Sequence, residues 1–246
     1  MPSTRTAVYF DGHCLSDYFH ITNVQRFPAG RKVGTRAVGG MDGVAVTSVN
    51  MQPITIKMQL NALQSTKAAR REAMRTLYGW LDVDTPKILR FTDDDGLYYL
   101  AIPSTMGQLK VWQTADAIKD VAFYVPCPVM YGTDHEVSVN SGASKSITIG
   151  GTYPALLKVT STAAVRNSTS HAWGVTADGG AYMRVELPSS SSTAVTIDPV
   201  QRVATVAGSA VLPTIASDWL ELAPGSHTIT EHGTGAYKLI WTDRWV

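Results

Sequence analysis

Pro53-Ile54-Thr55-Ile56-Lys57-Met58-Gln59-Leu60 alternates apolar and polar side chains. After a short gap, Ser65-Thr66-Lys67-Ala68-Ala69-Arg70-Arg71-Glu72-Ala73-Met74-Arg75-Thr76-Leu77-Tyr78-Gly79-Trp80-Leu81 changes to a helical period. The first stretch predicts a half-buried strand. In the second, Ala69, Ala73, Leu77 and Trp80 recur at helical spacing with Met74 and Leu81 beside them, and Ser65 stands where an N-cap belongs. That is one amphipathic helix. No other segment carries a helical stripe as convincing, so the pair predicts a mainly β protein in which one helix covers a sheet.

Outward from this pair the signals are β. Lys87-Ile88-Leu89-Arg90-Phe91 and Gly96-Leu97-Tyr98-Tyr99-Leu100-Ala101-Ile102 flank the hairpin turn Thr92-Asp93-Asp94-Asp95, and residues 121–125 form a further strand. Past this point the composition shifts. Residues 1–133 hold 14 basic and 11 acidic side chains with 18 Ser and Thr; residues 134–246 hold 7 and 9 with 28. Pro126, Pro128 and Gly132 precede the change, which places a domain boundary near Gly132-Thr133, with Asp134-His135-Glu136 as polar linker. Strand candidates follow at 146–149, 155–159, 182–187, 194–197, 202–206, 219–222, 227–230 and 238–242. Turn residues separate them at the spacing of a sandwich or jelly roll.

The whole chain has 246 residues, 44% of them hydrophobic, and 21 Lys and Arg against 20 Asp and Glu. Such a chain can bury a core and lacks the basic surplus with which a protein grips nucleic acid by its phosphates. Its longest uncharged apolar run, 121–132, contains two prolines and is too short to span a bilayer, so no membrane anchoring is expected. The N-terminus lacks the apolar core of a signal peptide, which points to folding in a reducing cytoplasm. The two cysteines, Cys14 and Cys127, are too few for a disulfide scaffold or structural zinc and read as buried small hydrophobes.

Catalytic motifs are missing: there is no nucleophile elbow, phosphate loop, dinucleotide fingerprint or paired-histidine zinc helix. Gly142-Ala143-Ser144-Lys145-Ser146 lacks the glycine that a phosphate loop places before its lysine, and reads as a Ser-rich turn. Asp93-Asp94-Asp95-Gly96 is the densest carboxylate cluster, but EF-hand spacing is absent and a hairpin tip selects Asp and Gly on its own account. His13, His20, His135, His171, His227 and His232 have no i, i+4 pair. Among six tryptophans, Trp219 and Trp241 lie in strand patterns and read as core, whereas Trp173 in His171-Ala172-Trp173-Gly174 is the candidate for an exposed, sugar-stacking platform. Neither metal nor cofactor is expected, and no enzyme activity.

Several stretches together resemble the distal tail proteins of siphophages. Phe10-Asp11-Gly12-His13-Cys14-Leu15-Ser16-Asp17-Tyr18-Phe19 is similar to their opening strand and turn, and Gly39-Gly40-Met41-Asp42-Gly43 to their loop before the long strand. Gly79-Trp80-Leu81-Asp82-Val83-Asp84 with Leu89-Arg90-Phe91-Thr92-Asp93 is similar to the stretch after their helix, and Tyr98-Tyr99-Leu100-Ala101 to the strand that follows. The stretch 121–128 with Tyr131-Gly132 resembles the end of that domain. In the second half, Gly151-Thr152-Tyr153-Pro154, Ile197-Asp198-Pro199 with Arg202-Val203-Ala204, 217–222 ahead of Pro224-Gly225, and Trp241-Thr242-Asp243-Arg244-Trp245 continue the series.

The resemblance implies an N-terminal belt domain over 1–133 and a C-terminal galectin-like β-sandwich over 134–246. It further implies a homohexameric ring at the virion's distal tail end, assembled in the host cytoplasm. The ring would join the major tail tube protein to a tail-fibre-type tip protein and anchor receptor-binding proteins, while DNA passes through it unbound. A near-neutral chain suits such a conduit. On this reading Asp93, Asp94, Asp95, Tyr98 and Tyr99 form a hairpin that docks on the neighbouring subunit. The alternative is a host-adhesion lectin, in which Trp173 contacts saccharide; the sugar signature of galectins is missing from the chain.

Overall fold

The computed structural model describes residues 6–40, 42–94, 96–111, 116–161, 165, 172–187 and 194–246. The chain divides into two compact units, Met1–Met130 with Val246, and Tyr131–Trp245.

In the first unit the alternating stretch forms the strand Ile54–Ala62, paired antiparallel with Phe19–Gln25 on one side and Asp116–Val125 on the other. The long strand Tyr98–Val111 changes partner along its length. Tyr98 to Ala101 pair with Lys87–Phe91, and the stretch from Ile102 pairs with Asp116–Val125. Lys87–Phe91 in turn pairs with Val8–Phe10. The one α-helix among the described residues, Lys67–Leu81, buries Ala73, Met74, Leu77 and Leu81 in a core with Phe10, Phe19, Ile56, Leu60 and Phe123. Its N-cap is Thr66 rather than Ser65: the Thr66 hydroxyl accepts the Ala69 amide at 3.2 Å, satisfying a donor that the first turn leaves open. Ala69 stays in solvent, so the buried stripe begins one turn later than its spacing predicts.

The strands Arg31–Ala37 and Val44–Met51 form a two-stranded sheet that pairs with no other described strand. The sequence reading left both out.

The second unit is a sandwich. One sheet has the order Lys145–Ile149, Gly225–His232, Ala172–Ala177, Tyr182–Glu186. The other runs from Ser209–Val211 through Val203–Val206, Val195–Asp198 and Lys158–Ser161 to Tyr237–Trp245. Ile147, Trp173, Val175, Met183 and Ile229 from the first meet Val159, Ile197, Ala204, Tyr237 and Leu239 from the second in one core. The fold class is thus mainly β with a single helix in the first unit and a β-sandwich in the second.

Two expectations are corrected. Asp134-His135-Glu136 is no linker; it lies inside the strand Met130–Val139, next to Tyr237–Trp245. Its polar side chains are used across that ladder, with Asp134 accepting from the Thr242 hydroxyl, His135 2.8 Å from Asp243, and Lys238 donating to Glu136. Neither cysteine is buried: Cys14 is half-buried on a two-residue strand, and Cys127 is exposed between two prolines.

Candidate assembly surface

The hairpin tip singled out in the sequence already has a partner within the chain. Arg26, just past the strand Phe19–Gln25, places one guanidinium nitrogen 2.7 Å from Asp93 and another on Asp94, and lies 4.5 Å over the Phe91 ring. A planar guanidinium can bridge two carboxylates and stack on an aromatic face together. Asp94 also acts on Tyr99, whose phenol is pushed above its ordinary pKa, first by burial and then by that carboxylate. The structure therefore brings Asp93, Asp94 and Tyr99 together around Arg26, a residue the sequence reading missed. Tyr98 sits opposite Arg90 in the adjacent strand pair, and Asp95 lies outside the described residues.

Arg26 stands at the root of the unpartnered hairpin. Its register puts Val33 opposite Val49, Thr35 opposite Val46 and Ala37 opposite Val44, while Lys32, Gly34 and Arg36 face Asn50, Ser48 and Ala45. Because alternate residues point to opposite faces, one face is valine-rich and the other polar. Val33, Val44, Val46 and Val49 are each at least half exposed. This alternation was the signal available in the sequence.

The strand Phe19–Gln25 is the second assembly feature. It pairs with Ile54–Ala62 alone, so its other edge is open among the described residues. A cavity of about 340 Å³ follows that edge, bordered by successive residues from Phe19 to Val24 and by Leu63, itself half exposed.

In the second unit, Trp173 is fully buried, with its indole donating to Glu231 at 2.9 Å and its ring edge-on to Tyr237. This corrects the expected platform: with no ring face in solvent, it cannot stack on a sugar. Glu231 also accepts the Gly142 amide at 2.7 Å, so the Ser-rich turn is tied to the core by a carboxylate rather than opened to a phosphate. Burial, followed by the charge of Glu231, pushes the Tyr237 phenol up to about 12.

The histidines serve as braces. His227 donates one ring nitrogen to Asp178 and the other to the Ala223 carbonyl, both at 2.7 Å. His232 accepts from Arg184 at 2.8 Å, and burial together with that cation keeps its pKa below the usual value. His13 stacks on Trp80, 4.5 Å between centroids, whereas His171 lies outside the described residues. Among the described residues no group of three His, Cys, Asp or Glu side chains is placed to hold a metal ion, and no helix is long and apolar enough to cross a membrane.

Residues 14–119 match the family described as phage tail protein RIFT-related domain, and residues 150–245 match the siphovirus-type tail component C-terminal domain. The chain belongs to the siphophage distal tail protein family. Its fold is similar over 99% of its length to that of the Dit protein of phage SPP1, all of which it covers, at a TM-score of 0.75 and 18% identity. That protein is described as a paradigm of hub adsorption apparatus in phages infecting Gram-positive hosts. Two structures of the phage P2 baseplate in its activated conformation are also similar at 7% identity, the Ca form at a TM-score of 0.53 over 98% of both chains. The Sr form gives 0.52 over 96% of this chain and 97% of that one. A sequence comparison with the curated proteins found no match.

The stretches that carry the family resemblance are joints of the fold in this distal tail protein. The amides of Thr152 and Tyr153 both donate to the Arg244 carbonyl, while the Arg244 guanidinium donates to the Pro154 carbonyl and lies over the Tyr153 ring. Gly151 has φ +82°, and a Cβ there would stand 2.0 Å from the Arg244 oxygen. Asp198 accepts from the amides of Val200 and Gln201 and from Lys158, closing the turn that leads to Arg202. These residues therefore fix the shape of the sandwich.

Proposed function

We propose that this distal tail protein is the hub of a long non-contractile tail, six copies of its first unit closing into a ring at the distal end of the virion. The observation that carries the reading is the 31–51 hairpin. A two-stranded sheet is marginal in water without a surface to cover it, and this one turns a valine face outward. Such a face belongs to an assembly. The second unit is complete in itself and stands at the ring's periphery, where receptor-binding proteins attach. The ring continues the major tail tube and holds a tail-fibre-type tip protein below. DNA passes through without specific binding, consistent with 21 basic against 20 acidic residues. The tip of the 86–103 hairpin contributes by bracing the projecting hairpin at Arg26, with Asp93, still 41% exposed at its side chain, facing the contact. The protein is structural, assembled in the host cytoplasm.

Mass measurement on the purified full chain over a range of concentrations tests the reading. Six times 26.5 kDa is expected; a monomer at every concentration overturns it.

A further inference from the structure

Among the described residues of the second unit, the exposed large apolar side chains are Val200, Val203, Leu212 and Ile215, and they gather at one corner. Leu212 is 88% exposed and Ile215 entirely so. Ala204 stands opposite Val211, which sets their chain neighbours Val203 and Leu212 side by side, and Val200 lies in the turn that joins Asp198 to Val203. A patch confined to one corner marks a contact, where scattered apolar residues would need no explanation.

We propose that this corner is the anchor by which the second unit holds an adsorption protein, with Ile215 seated in an apolar pocket of that partner. The proposal names the contact within the hub reading and rests on it.

Ile215 and Ala216 occupy the centre of the turn Thr214–Ser217, positions where solvent-exposed turns favour Pro, Asn, Asp or Gly. The turn is closed without help from either. The Ser217 amide donates to the Thr214 carbonyl at 2.8 Å, and the two hydroxyls meet at 2.7 Å. Both ends are tied to the strand Tyr182–Glu186. The Thr214 amide donates to the Arg184 carbonyl, the Arg184 amide to the Ser217 hydroxyl, and the Asp218 amide to the Tyr182 carbonyl. Ile215 is thus held out in water on a braced loop. A side chain presented this way loses little freedom when a partner closes over it.

Charge selects the class of partner. Beside the patch Lys158 and Asp198 neutralise one another at 2.8 Å, while Arg202, over the Trp219 ring, and Asp218 add one charge of each sign. Nucleic acid and anionic lipid both need a cationic cluster; a protein pocket does not. Nor does a second copy fit, because two convex tips meet at their summits and leave their flanks wet. Four aliphatic side chains at roughly 100 Å² each supply about 400 Å². One partner in a stable contact gives roughly 800 Å². The deficit suits an oligomeric partner engaged by several copies of the ring at once, where linked contacts add by effective concentration.

The test uses virions assembled with the full chain carrying Ile215→p-benzoylphenylalanine, and a control carrying that residue at Ser226, exposed on the strand Gly225–His232. On irradiation, the first is expected to give an adduct with a different virion protein, at several times the yield of the control. Leu212→Asp with Ile215→Asp is expected to deplete that same protein from purified virions and to lower the infectious titre at least tenfold. The isolated variant should keep its circular dichroism and melting temperature. An adduct between two copies of this chain, no adduct, or variant virions with a full complement of proteins overturns the contact and leaves the hub reading standing. Flotation of the purified chain with phosphatidylglycerol vesicles, lost in the variant, overturns it in favour of a membrane contact. Absence of the chain from purified virions overturns both readings. If the double variant unfolds, the adduct at Ile215 alone decides.

Discussion

The indole nitrogen of Trp173 donates to the Glu231 carboxylate across 2.9 Å in the interior of the second unit. An ionisable side chain only 9% exposed is tolerated there because two donors meet it, the indole and the Gly142 amide. Trp173→Phe keeps an aromatic ring, removes one of those donors and leaves the space of the second indole ring unfilled. The variant is expected to lose about 1–3 kcal/mol, read as a lower denaturant midpoint for the unit at unchanged m-value.

Arg26 joins two carboxylates to the root of the projecting hairpin. Arg26→Ala is expected to cost about 1 kcal/mol, since Asp93 remains well solvated. A double-mutant cycle with Asp94→Asn should recover a coupling of similar size. Hydrogen exchange should speed up at the amides of 31–51 in the same variant.

Gly174 lies in the middle of the strand Ala172–Ala177, and a Cβ built there would stand 1.9 Å from the Met183 carbonyl oxygen. That oxygen is backbone in the adjacent strand and cannot move aside cheaply. Gly174→Ala is expected to destabilise the sandwich by more than about 3 kcal/mol, seen as loss of the folded second unit by proteolysis while the first stays protected.

The brace between His227 and Asp178 has a pH signature. Asp178 is held below its ordinary 3.8 by the Thr228 amide and then by His227. Burial opposes charging of His227, but its bonds to Asp178 and Ala223 prevail and raise it above 6.5. The carboxylate's contribution is present above 3.8 and is lost as pH falls through its lowered value. The histidine's contribution is complete below 6.5 and is lost as pH rises through its raised value. The brace is therefore strongest between the two. Asp178→Asn should bring the His227 titration, followed by NMR, down toward 6.5 and flatten the rise in melting temperature on acidification from neutral pH.

Segments with a strong period were legible in the sequence. The 54–60 alternation, the helical stripe and the 87–102 hairpin each commit a buried face to one side, so composition at successive positions reveals them. The 31–51 hairpin carries a weak signal because its apolar face mixes Val with Thr and Ala, and the glycines of 39–43 break the stretch. The contrast on which periodicity relies is weak there. Met130–Val139 was hidden for another reason: Asp134, His135 and Glu136 look like linker until their partners, more than a hundred residues away, are known. Arg26 with Asp93 and Asp94 is the same case. Trp173 misled because a Trp between His, Ala and Gly says nothing of depth; only the closed sandwich does.

The strands Met130–Val139 and Tyr237–Trp245, which open and close the second unit, are neighbours in one ladder. Asp134 meets Thr242 and Glu136 meets Lys238, so the two run antiparallel and the unit's way in lies beside its way out. A segment with adjoining ends can be cut out and exchanged for another without lengthening the path of the backbone. Such a seam makes the second unit a cassette that can be replaced whole while the first unit keeps its chain.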